Sequence, residues 1–228
     1  MKKILFITLM ILSVSSCKND VEDTMFVKGE IKGLKKGTLY LQKQVDSLIL
    51  SVDSLTVNGR NDFLLKDIIE SPEIYFLTLK DSDKRITFFG EKDTITINSV
   101  LDKFDIKAEI KGSNNQNILN GYNELKRRFN DKNLDLIKEE LEAQKSGNLD
   151  SIILVEEKMK GLLKRRYLVT INYAINNADF EVAPYIALSE VYDANISMLD
   201  TINNSLSPDV KQSKYGIMLQ EYIDERKE

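Results

Sequence analysis

Pairs of adjacent carboxylates are the residues of this sequence that come closest to a catalytic constellation. Glu139-Glu140 and Glu156-Glu157 could act as acid and base in glycoside hydrolysis, which needs two positioned carboxyl groups. Both pairs stand among lysines at helical surface positions, so a solvated helix face is the favoured interpretation. Asp81-Ser82-Asp83 begins like a calcium loop, but the glycine and the bidentate glutamate of an EF-hand are missing. This segment is therefore predicted to be a hairpin turn.

Two basic clusters and one set of aromatic residues are candidates for binding. Lys126-Arg127-Arg128 and Lys164-Arg165-Arg166 could contact anionic headgroups or a protein partner. Acidic residues within a turn or two favour intrahelical ion pairs instead. Four aromatic residues at strand positions could line a ligand groove, although core packing is the default for such residues. They are Tyr40, Tyr75, Phe88 and Phe89.

The sequence contains no histidine and one cysteine, Cys17. The lack of histidine excludes Ser-His-Asp and Cys-His catalysis and any histidine-based zinc or iron site. If Cys17 is acylated, no thiol is left for disulfide exchange, cysteine-ligated zinc or iron–sulfur chemistry. We therefore predict no catalytic residue, no metal ligand and no cofactor, and a protein that is not an enzyme.

Acylation of Cys17 is the one reaction that the sequence predicts. Met1-Lys2-Lys3 and the apolar run 4–12 form the basic and hydrophobic parts of a secretory signal. The run is too short to cross a bilayer, which needs about twenty apolar residues. Val14-Ser15-Ser16-Cys17 resembles the bacterial lipobox, in which the cysteine is joined to diacylglycerol, the peptide is cut before it, and the new amino group is acylated. Residues 1–16 are thus predicted to be a signal peptide and Cys17 the site of lipid attachment.

A lipid anchor of this kind predicts a membrane-tethered protein of the cell envelope. Several acyl chains on one residue anchor stably, whereas a single chain holds only marginally. No aspartate directly follows Cys17, which favours the outer membrane. The acidic residues in the tether 17–25 are loosely similar to surface-export signals of Bacteroides-type lipoproteins, or they serve only as a solvated linker. The periplasmic and the surface face both stay open.

The composition is that of an acidic globular protein. Removal of Lys2 and Lys3 with the signal takes the formal charge from −4 to −6 and leaves 212 residues. An acidic surface repels phosphate backbones, so nucleic acid is excluded as a partner. With 42% hydrophobic and 30% charged residues, the chain has enough apolar material for one large domain or two small ones.

Residues 26–112 are predicted to form an antiparallel β-sandwich or open barrel. Apolar and polar residues alternate in 26–33 and 38–42, and Asn58-Gly59 is a strong hairpin signal. Further strands are predicted at 54–57, 63–65, 73–79, 85–89, 93–98 and 105–110. The repeat of Val45-Asp46-Ser47-Leu48 as Val52-Asp53-Ser54-Leu55 also suits a helix, but its β-branched neighbours favour a strand.

Residues 113–228 are predicted to be helical, which makes the protein α+β. Apolar residues recur at helical spacing from Ser113 to Gly147, and Asp150 is a plausible N-cap for a second long helix. Shorter helices are predicted at Pro184–Tyr192 and Ser197–Asn204. A last helix is opened by Ser207-Pro208-Asp209, where serine caps and proline takes the first helical position.

Several of these segments together resemble a known family. The segments 26–31, 52–54, Asn58-Gly59 with Phe63, 71–75 and 111–113 are similar to an N-terminal domain of unknown function in Bacteroides-type thiol:disulfide interchange lipoproteins. Segments 183–185 and 207–215 resemble the helical connector of those proteins. Fuller members continue into a thioredoxin-like domain with a Cys-x-x-Cys pair. This sequence contains no such pair, so the resemblance transfers no redox residue and implies only the architecture, the envelope location and an accessory or recognition role.

Two functional hypotheses follow. The leading one is a non-catalytic envelope lipoprotein that is held to the membrane through Cys17 and binds or scaffolds an envelope protein. The alternative is an accessory component, or truncated relative, of an envelope thiol:disulfide interchange protein. A hydrolase that uses carboxylates alone is a distant third. The sequence does not identify a small-molecule ligand or the oligomeric state.

Overall fold

A computed structural model describes residues 23–228 of the chain. The predicted signal peptide 1–16 and Cys17 lie outside the described residues. Within the described part, eight strands are followed by six α-helices, which confirms the α+β prediction. No described helix is both long enough and apolar enough to span a bilayer.

The strands form two sheets that pack face to face. Their bounds are β1 Thr24–Lys32, β2 Lys36–Val45, β3 Leu48–Asn58, β4 Asp62–Ile68, β5 Glu73–Leu79, β6 Arg85–Gly90, β7 Asp93–Val100 and β8 Glu109–Lys111. Sheet A has the order β4-β1-β7-β8, and sheet B has the order β3-β2-β5-β6. Side chains that alternate inward along both sheets fill one apolar core. The architecture is therefore the predicted sandwich.

The sandwich is not purely antiparallel, contrary to the prediction. Strands β1 and β7 pair in parallel, with Met25 opposite Asp93 and Lys32 opposite Val100. Parallel neighbours need a long connection between them. Between β1 and β7 the chain passes through all four strands of sheet B, which are β2, β3, β5 and β6. A close approach at Gly29 fits this pairing, since a Cβ there would lie 1.7 Å from the carbonyl oxygen of Ile97.

Two local predictions in the β half are confirmed and one is wrong. Gly59 has φ +81° after β3, as the Asn58-Gly59 signal predicts. The ambiguous repeat is strand, broken by a turn at Asp46 with φ +52°. The predicted strand 105–110 is wrong, because a 3-10 turn and a further turn precede the short β8. Phe104 turns into the core there, and the Ser99 hydroxyl donates to its carbonyl oxygen at 2.7 Å.

The helices follow the predicted order with shifted ends. They are α1 Asn114–Ser146, α2 Leu149–Asn176, α3 Val182–Glu190, α4 Ile196–Ser205, α5 Pro208–Lys211 and α6 Lys214–Glu225. The predicted bounds of the first long helix, Ser113 and Gly147, are confirmed: Ser113 caps α1, and Gly147 follows its end in the left-handed region. Asn148, not Asp150, caps α2. The last predicted helix is two helices, because α5 stops after one turn and Ser213 caps α6.

Three apolar clusters join the β and α halves into one structure. The sandwich core and a core within α2–α6 are linked by a third cluster, which we call the junction core. Its buried members are Ile74, Phe76, Phe89, Tyr122, Val182, Ile186 and Tyr215. These residues come from the outer face of sheet B and from α1, α3 and α6. The helices thus cover one face of sheet B, and the border of this contact is where a groove forms.

Candidate functional site

The carboxylate pairs lie on solvated helix faces, as predicted. Glu139 on α1 pairs with Lys158 on α2 at 2.7 Å, and Glu156 pairs with Lys160 one turn later at 3.8 Å. Both pairs are half exposed. The neighbouring Glu140 accepts only a long bond from the Gln144 amide, at 3.4 Å. The structure therefore does not bring two of these carboxylates together around a reaction site.

Asp81-Ser82-Asp83 forms the predicted hairpin turn between β5 and β6. Asp81 has φ +59°, and the Ser82 N–H donates to the carbonyl of Leu79 at 3.2 Å. The Ser82 hydroxyl accepts from the N–H of Lys84, which fixes the turn further. Among residues 23–228, no group of three histidine, cysteine, aspartate or glutamate side chains is placed to hold a metal ion.

The basic clusters differ from the prediction of intrahelical pairing. Lys126 on α1 pairs with Glu190 at the end of α3, at 2.6 Å, so this ion pair joins two helices. The guanidinium of Arg166 lies 5.8 Å from the ring centroid of Tyr167. Arg165 and Arg128 are exposed. The error has a simple origin, because the position of Glu190 beside α1 depends on tertiary packing.

The predicted aromatic set is mainly core, as the default interpretation held. Tyr75 and Phe88 stack inside the sandwich with ring centroids 5.9 Å apart. Phe89, the next residue on β6, points to the opposite face and enters the junction core. Tyr40 is half-buried on β2. These four side chains do not share a ligand groove.

A different set of residues forms a groove, which we call the interdomain groove. Its volume is about 830 Å³, and it lies between the outer face of sheet B and helices α3 and α6. The floor comes from the strands and the walls from the helices. The residues that carry its chemistry are Phe76, Arg85, Thr87, Leu188, Tyr215 and Met218. A volume of this size fits the range of ligand and peptide-binding clefts.

Arg85 gives the groove a cation without an ionic partner. Its guanidinium lies 4.7 Å from the ring centroid of Phe76, a cation–π contact that holds the charge over the floor. No carboxylate within residues 23–228 forms an ion pair with it. The lining also includes the carboxylates of Asp46 and Glu221, so the groove combines apolar walls with one unpaired cation and two acidic side chains.

The groove is bordered by an edge strand, β6. The N–H of Phe89 donates to the side-chain oxygen of Gln116 on α1 at 2.7 Å, and therefore points away from β5. Main-chain groups of an antiparallel strand alternate in direction. The main-chain groups of Thr87 and Arg85, two and four residues earlier, consequently also point away from β5. They form an open sheet edge at the side of the groove.

One end of the groove is closed by a buried charge network around Glu73. This carboxylate is 8% exposed and contacts the ammonium groups of Lys43, at 3.6 Å, and of Lys214. Lys43 also donates to Asp67 at 2.8 Å, and the Tyr75 hydroxyl donates to the same carboxylate at 2.7 Å. Both carboxylates are therefore engaged with cations and donors of the protein itself.

The pKa values of Lys43 and of Tyr75 are both raised within the network. Burial lowers the pKa of Lys43, but the hydrogen bond and charge of Asp67 and the charge of Glu73 more than offset this, so the pKa is raised. Burial, followed by the interaction with Asp67, raises the pKa of Tyr75. Burial likewise raises the pKa of Tyr215 and of Tyr185 at the groove wall, and that of Tyr122 in the junction core to about 12. The phenols stay neutral and Lys43 stays charged at neutral pH.

Replacement of Glu73 by glutamine should lower the free energy of unfolding by about 2 kcal/mol. The change keeps the shape but removes the charge that two lysines share. The loss stays below the full cost of breaking a buried pair, because Lys43 keeps Asp67 and Lys214 keeps the Gln44 carbonyl at 3.0 Å. Urea unfolding at neutral pH measures it.

Asp62→Asn is the matched control for Glu73→Gln. Asp62 forms an ion pair with Arg60 at 2.6 Å, but both side chains are more than half exposed. Exposed pairs contribute about 0–1 kcal/mol, so this variant should hardly change the unfolding midpoint. Equal effects for the two variants would contradict the stabilising role given to the network.

A second, smaller cavity lies between α2 and α4. It has a volume of about 280 Å³ and is lined mainly by apolar atoms, with Tyr167 donating to Asp193 at 2.6 Å on its rim. Lys164 of the second basic cluster also borders it. The interdomain groove is the better candidate site, since it is larger and contains an unpaired cation and an open sheet edge.

Sequence reasoning missed the interdomain groove. Its floor and its walls come from β5 and β6 and from α3 and α6, which lie more than ninety residues apart in sequence. The register of β5 and β6 places Phe76 and Arg85 on one face of sheet B. No local signal in the sequence indicated that α3 and α6 pack along one side of this face.

The fold and groove define an α+β protein with a mixed β-sandwich and a helical part packed on one of its sheets. Residues 25–119 match the model of a family described as a domain of unknown function (DUF4369). The match covers all eight strands and the first residues of α1. Searches of curated proteins and of solved structures found no match to the chain.

The matched segment corresponds to a physical unit. It ends inside α1, after Ser113, which caps the helix, and after Gln116, which binds the edge of β6. Ile118 and Leu119 pack against the junction core. The start of α1 is thus part of the domain as much as the strands are, and the rest of the helical region lies outside the match.

Proposed function

We propose that this protein is a cell-envelope lipoprotein, anchored through Cys17, whose interdomain groove binds an extended segment of another envelope protein. The anchor is supported by the basic and apolar signal and by the small residues before Cys17. The fold is compatible with it, because β1 begins at Thr24, only seven residues after the cysteine. The outer membrane is the proposed location.

The observation that carries the binding role is the unpaired Arg85 on the floor of an apolar groove. Arg85 is exposed, so a ligand carboxylate can reach its guanidinium and form a charge-assisted hydrogen bond with it. Phe76 beneath it and Leu188 and Met218 on the walls would hold apolar side chains. The ligand proposed is thus a peptide segment with apolar residues and one acidic residue.

Strand addition is the proposed binding mode. An extended peptide can hydrogen-bond to an exposed sheet edge while alternate side chains enter pockets. The main-chain groups of Arg85 and Thr87 on β6 face outward beside the groove, and Gln116 closes the edge beyond them. The carboxylates at the closed end of the groove, Glu73 and Asp67, are both held by lysines, which leaves Asp46 and Glu221 as the acidic side chains of the lining.

A photocrosslinking residue in place of Thr87 should form a covalent adduct with the partner segment in intact cells. Adding Arg85→Glu should reduce the adduct about tenfold, because the charge that attracts the acidic residue is reversed. Arg165→Glu, an exposed arginine on α2, is the matched control and should leave the adduct unchanged. Mass spectrometry of the crosslinked peptide identifies the partner and the presence of an acidic residue.

The proposal fails if the Thr87 crosslinker gives no adduct in a protein that is folded and present at normal level. It also fails if Arg165→Glu weakens the adduct as much as Arg85→Glu, since the effect would then be general electrostatics. An adduct that is insensitive to Arg85→Glu would contradict the role given to the Arg85 charge in binding.

A second candidate is an accessory component of an envelope thiol:disulfide interchange system. The observation that favours it is that the family match 25–119 covers the N-terminal segments of the resemblance to those lipoproteins, although not segments 183–185 and 207–215. In that case the partner crosslinked at Thr87 would be a thioredoxin-like protein. Recovery of unrelated proteins in repeated experiments would count against this candidate and leave the binding role intact.

A further inference from the structure

The β2–β3 hairpin ends in an apolar tip, residues 45–50, that nothing within residues 23–228 covers. Its apolar side chains are Val45, Leu48, Ile49 and Leu50, between 39% and 64% exposed. Four neighbouring apolar residues on a two-stranded hairpin are unlike the scattered single exposed residues of ordinary surfaces. Such a tip needs a ligand or surface of apolar character.

The hairpin tip lies at the end of the sandwich where the chain enters the fold. Lys43 on β2 reaches Asp67 on β4 at 2.8 Å, and Asp67 stands opposite Met25, the second residue of β1. Lys43 is therefore level with the start of β1. Residues 45–50 continue beyond this level, and at about 3.3 Å per residue they project roughly 7–10 Å past it.

Three of the four exposed side chains continue the inner face of sheet B. Leu48 stands opposite Val45 and Leu50 opposite Lys43, so Val45, Leu48 and Leu50 share the face that is core-facing further along the strands, whereas Ile49 stands opposite Gln44 and lies on the other face. The opposing sheet ends at Thr24 and Ile68, so no strand within residues 23–228 covers this inner face. Together these three side chains give the overhang an apolar surface.

We propose that the inner face of the hairpin tip rests in the surface of the bilayer that carries the Cys17 anchor. This inference rests on the proposed lipidation. The six peptide steps from Cys17 to Asp23 reach at most about 20 Å, so the anchor keeps this end of the sandwich close to the membrane. The hairpin tip projects past the start of β1 at this end, and the acyl region offers the apolar surface that it lacks.

The contact is apolar rather than electrostatic. The segment 44–51 contains no lysine or arginine, and its one charge, Asp46, lines the interdomain groove rather than the overhanging face. The segment between Cys17 and Asp23 has a single apolar residue, Val21, and is too polar to cover four apolar side chains. Insertion by the hairpin tip therefore needs no anionic lipid.

A single tryptophan tests the contact, since the natural chain has none. The mature chain carrying Leu48→Trp is coupled through its one thiol, that of Cys17, to a maleimide lipid in phosphatidylcholine vesicles whose acyl chains carry bromine. We expect about a twofold loss of emission relative to unbrominated vesicles, because the ring enters the boundary between headgroups and acyl chains. Replacing part of the phosphatidylcholine with phosphatidylglycerol should change nothing.

Ile106→Trp is the matched control. Ile106 is 78% exposed and follows β7 at the opposite end of the sandwich, about 25 Å away. Its emission should be the same in both kinds of vesicle. Adding Leu50→Glu to Leu48→Trp should restore most of the emission, because a carboxylate on the same face opposes insertion.

An unquenched Leu48→Trp in coupled protein overturns the inference. Shielding of this tryptophan before coupling, increasing with protein concentration, would assign the hairpin tip to a second copy of the chain and also overturn it. Because coupling is chemical, this result does not depend on acylation in cells. A protein that is not lipidated in cells would refute the proposed anchor while leaving the vesicle result readable.

Discussion

Phe89→Ala is expected to lower the free energy of unfolding by about 3–5 kcal/mol. The side chain is fully buried and packs edge-on against Tyr185 and Tyr215, with ring centroids 5.8 and 6.0 Å away. It is the residue of β6 through which α3 and α6 rest on sheet B. Its removal leaves a cavity at the contact between the two halves. Chemical unfolding followed by circular dichroism measures the loss.

Hydrogen exchange shows which helices and strands lose stability in Phe89→Ala. Main-chain amides of α3 and α6 should exchange faster in Phe89→Ala than those of the central strands β1 and β2, because the sandwich core keeps its own contacts. Tyr192→Ala is the control, since its ring is 54% exposed. It should cost less than about 1 kcal/mol. An effect of Phe89→Ala as small as this would contradict the role of the junction core.

Cys17→Ser should move the protein from the membrane to the soluble fraction almost completely. Each buried methylene of an acyl chain contributes about 0.8 kcal/mol to membrane binding, so loss of the lipid removes nearly all the affinity. The serine variant is best fused to the cleavable signal of a soluble secreted protein, because an uncut signal could itself hold the membrane. Fractionation after a carbonate wash measures the change.

Ser16→Ala provides the control for Cys17→Ser. It keeps a small residue before the cysteine, so acylation and membrane attachment should persist. Both variants should unfold like the natural protein, because β1 begins at Thr24 and, among residues 23–228, the sandwich core begins at Met25. A serine variant that stays membrane-bound after the wash would count against the anchor and shift the explanation to protein contacts.

Short-range signals predicted most of the fold. The Asn58-Gly59 turn, the Ser113 cap and Gly147 each fix a boundary through local hydrogen bonding or backbone conformation, and all three are where the sequence placed them. Alternation and helical periodicity separated the β half from the α half. These features depend on residues within one or two turns of each other.

Long-range pairing could not be predicted in the same way. The parallel contact of β1 and β7 depends on the path of the chain through sheet B, which no local pattern encodes. Alternation at Ile106, Ala108 and Ile110 suggested a strand over 105–110, but the chain turns after the buried Phe104 and only Glu109–Lys111 is strand. In the groove, Arg85 becomes a candidate binding residue only because Tyr215 and Met218 lie above the same sheet face.

The proposed anchor ties the binding groove and the hairpin tip to one membrane. The hairpin tip projects from the end of the sandwich that follows Cys17, whereas the interdomain groove opens between sheet B and α6. Asp46 lines the groove, so the two surfaces meet at the β2–β3 turn. A partner segment in the groove would therefore be held close to the membrane surface.

The mass of the N-terminal peptide from protein extracted out of native membranes tests the central claim most directly. We predict that this peptide begins at Cys17 and carries a diacylglycerol on its sulfur and an acyl group on its nitrogen. A peptide that begins before Cys17, or that begins there with an unmodified thiol, would contradict the assignment of the protein as an envelope lipoprotein.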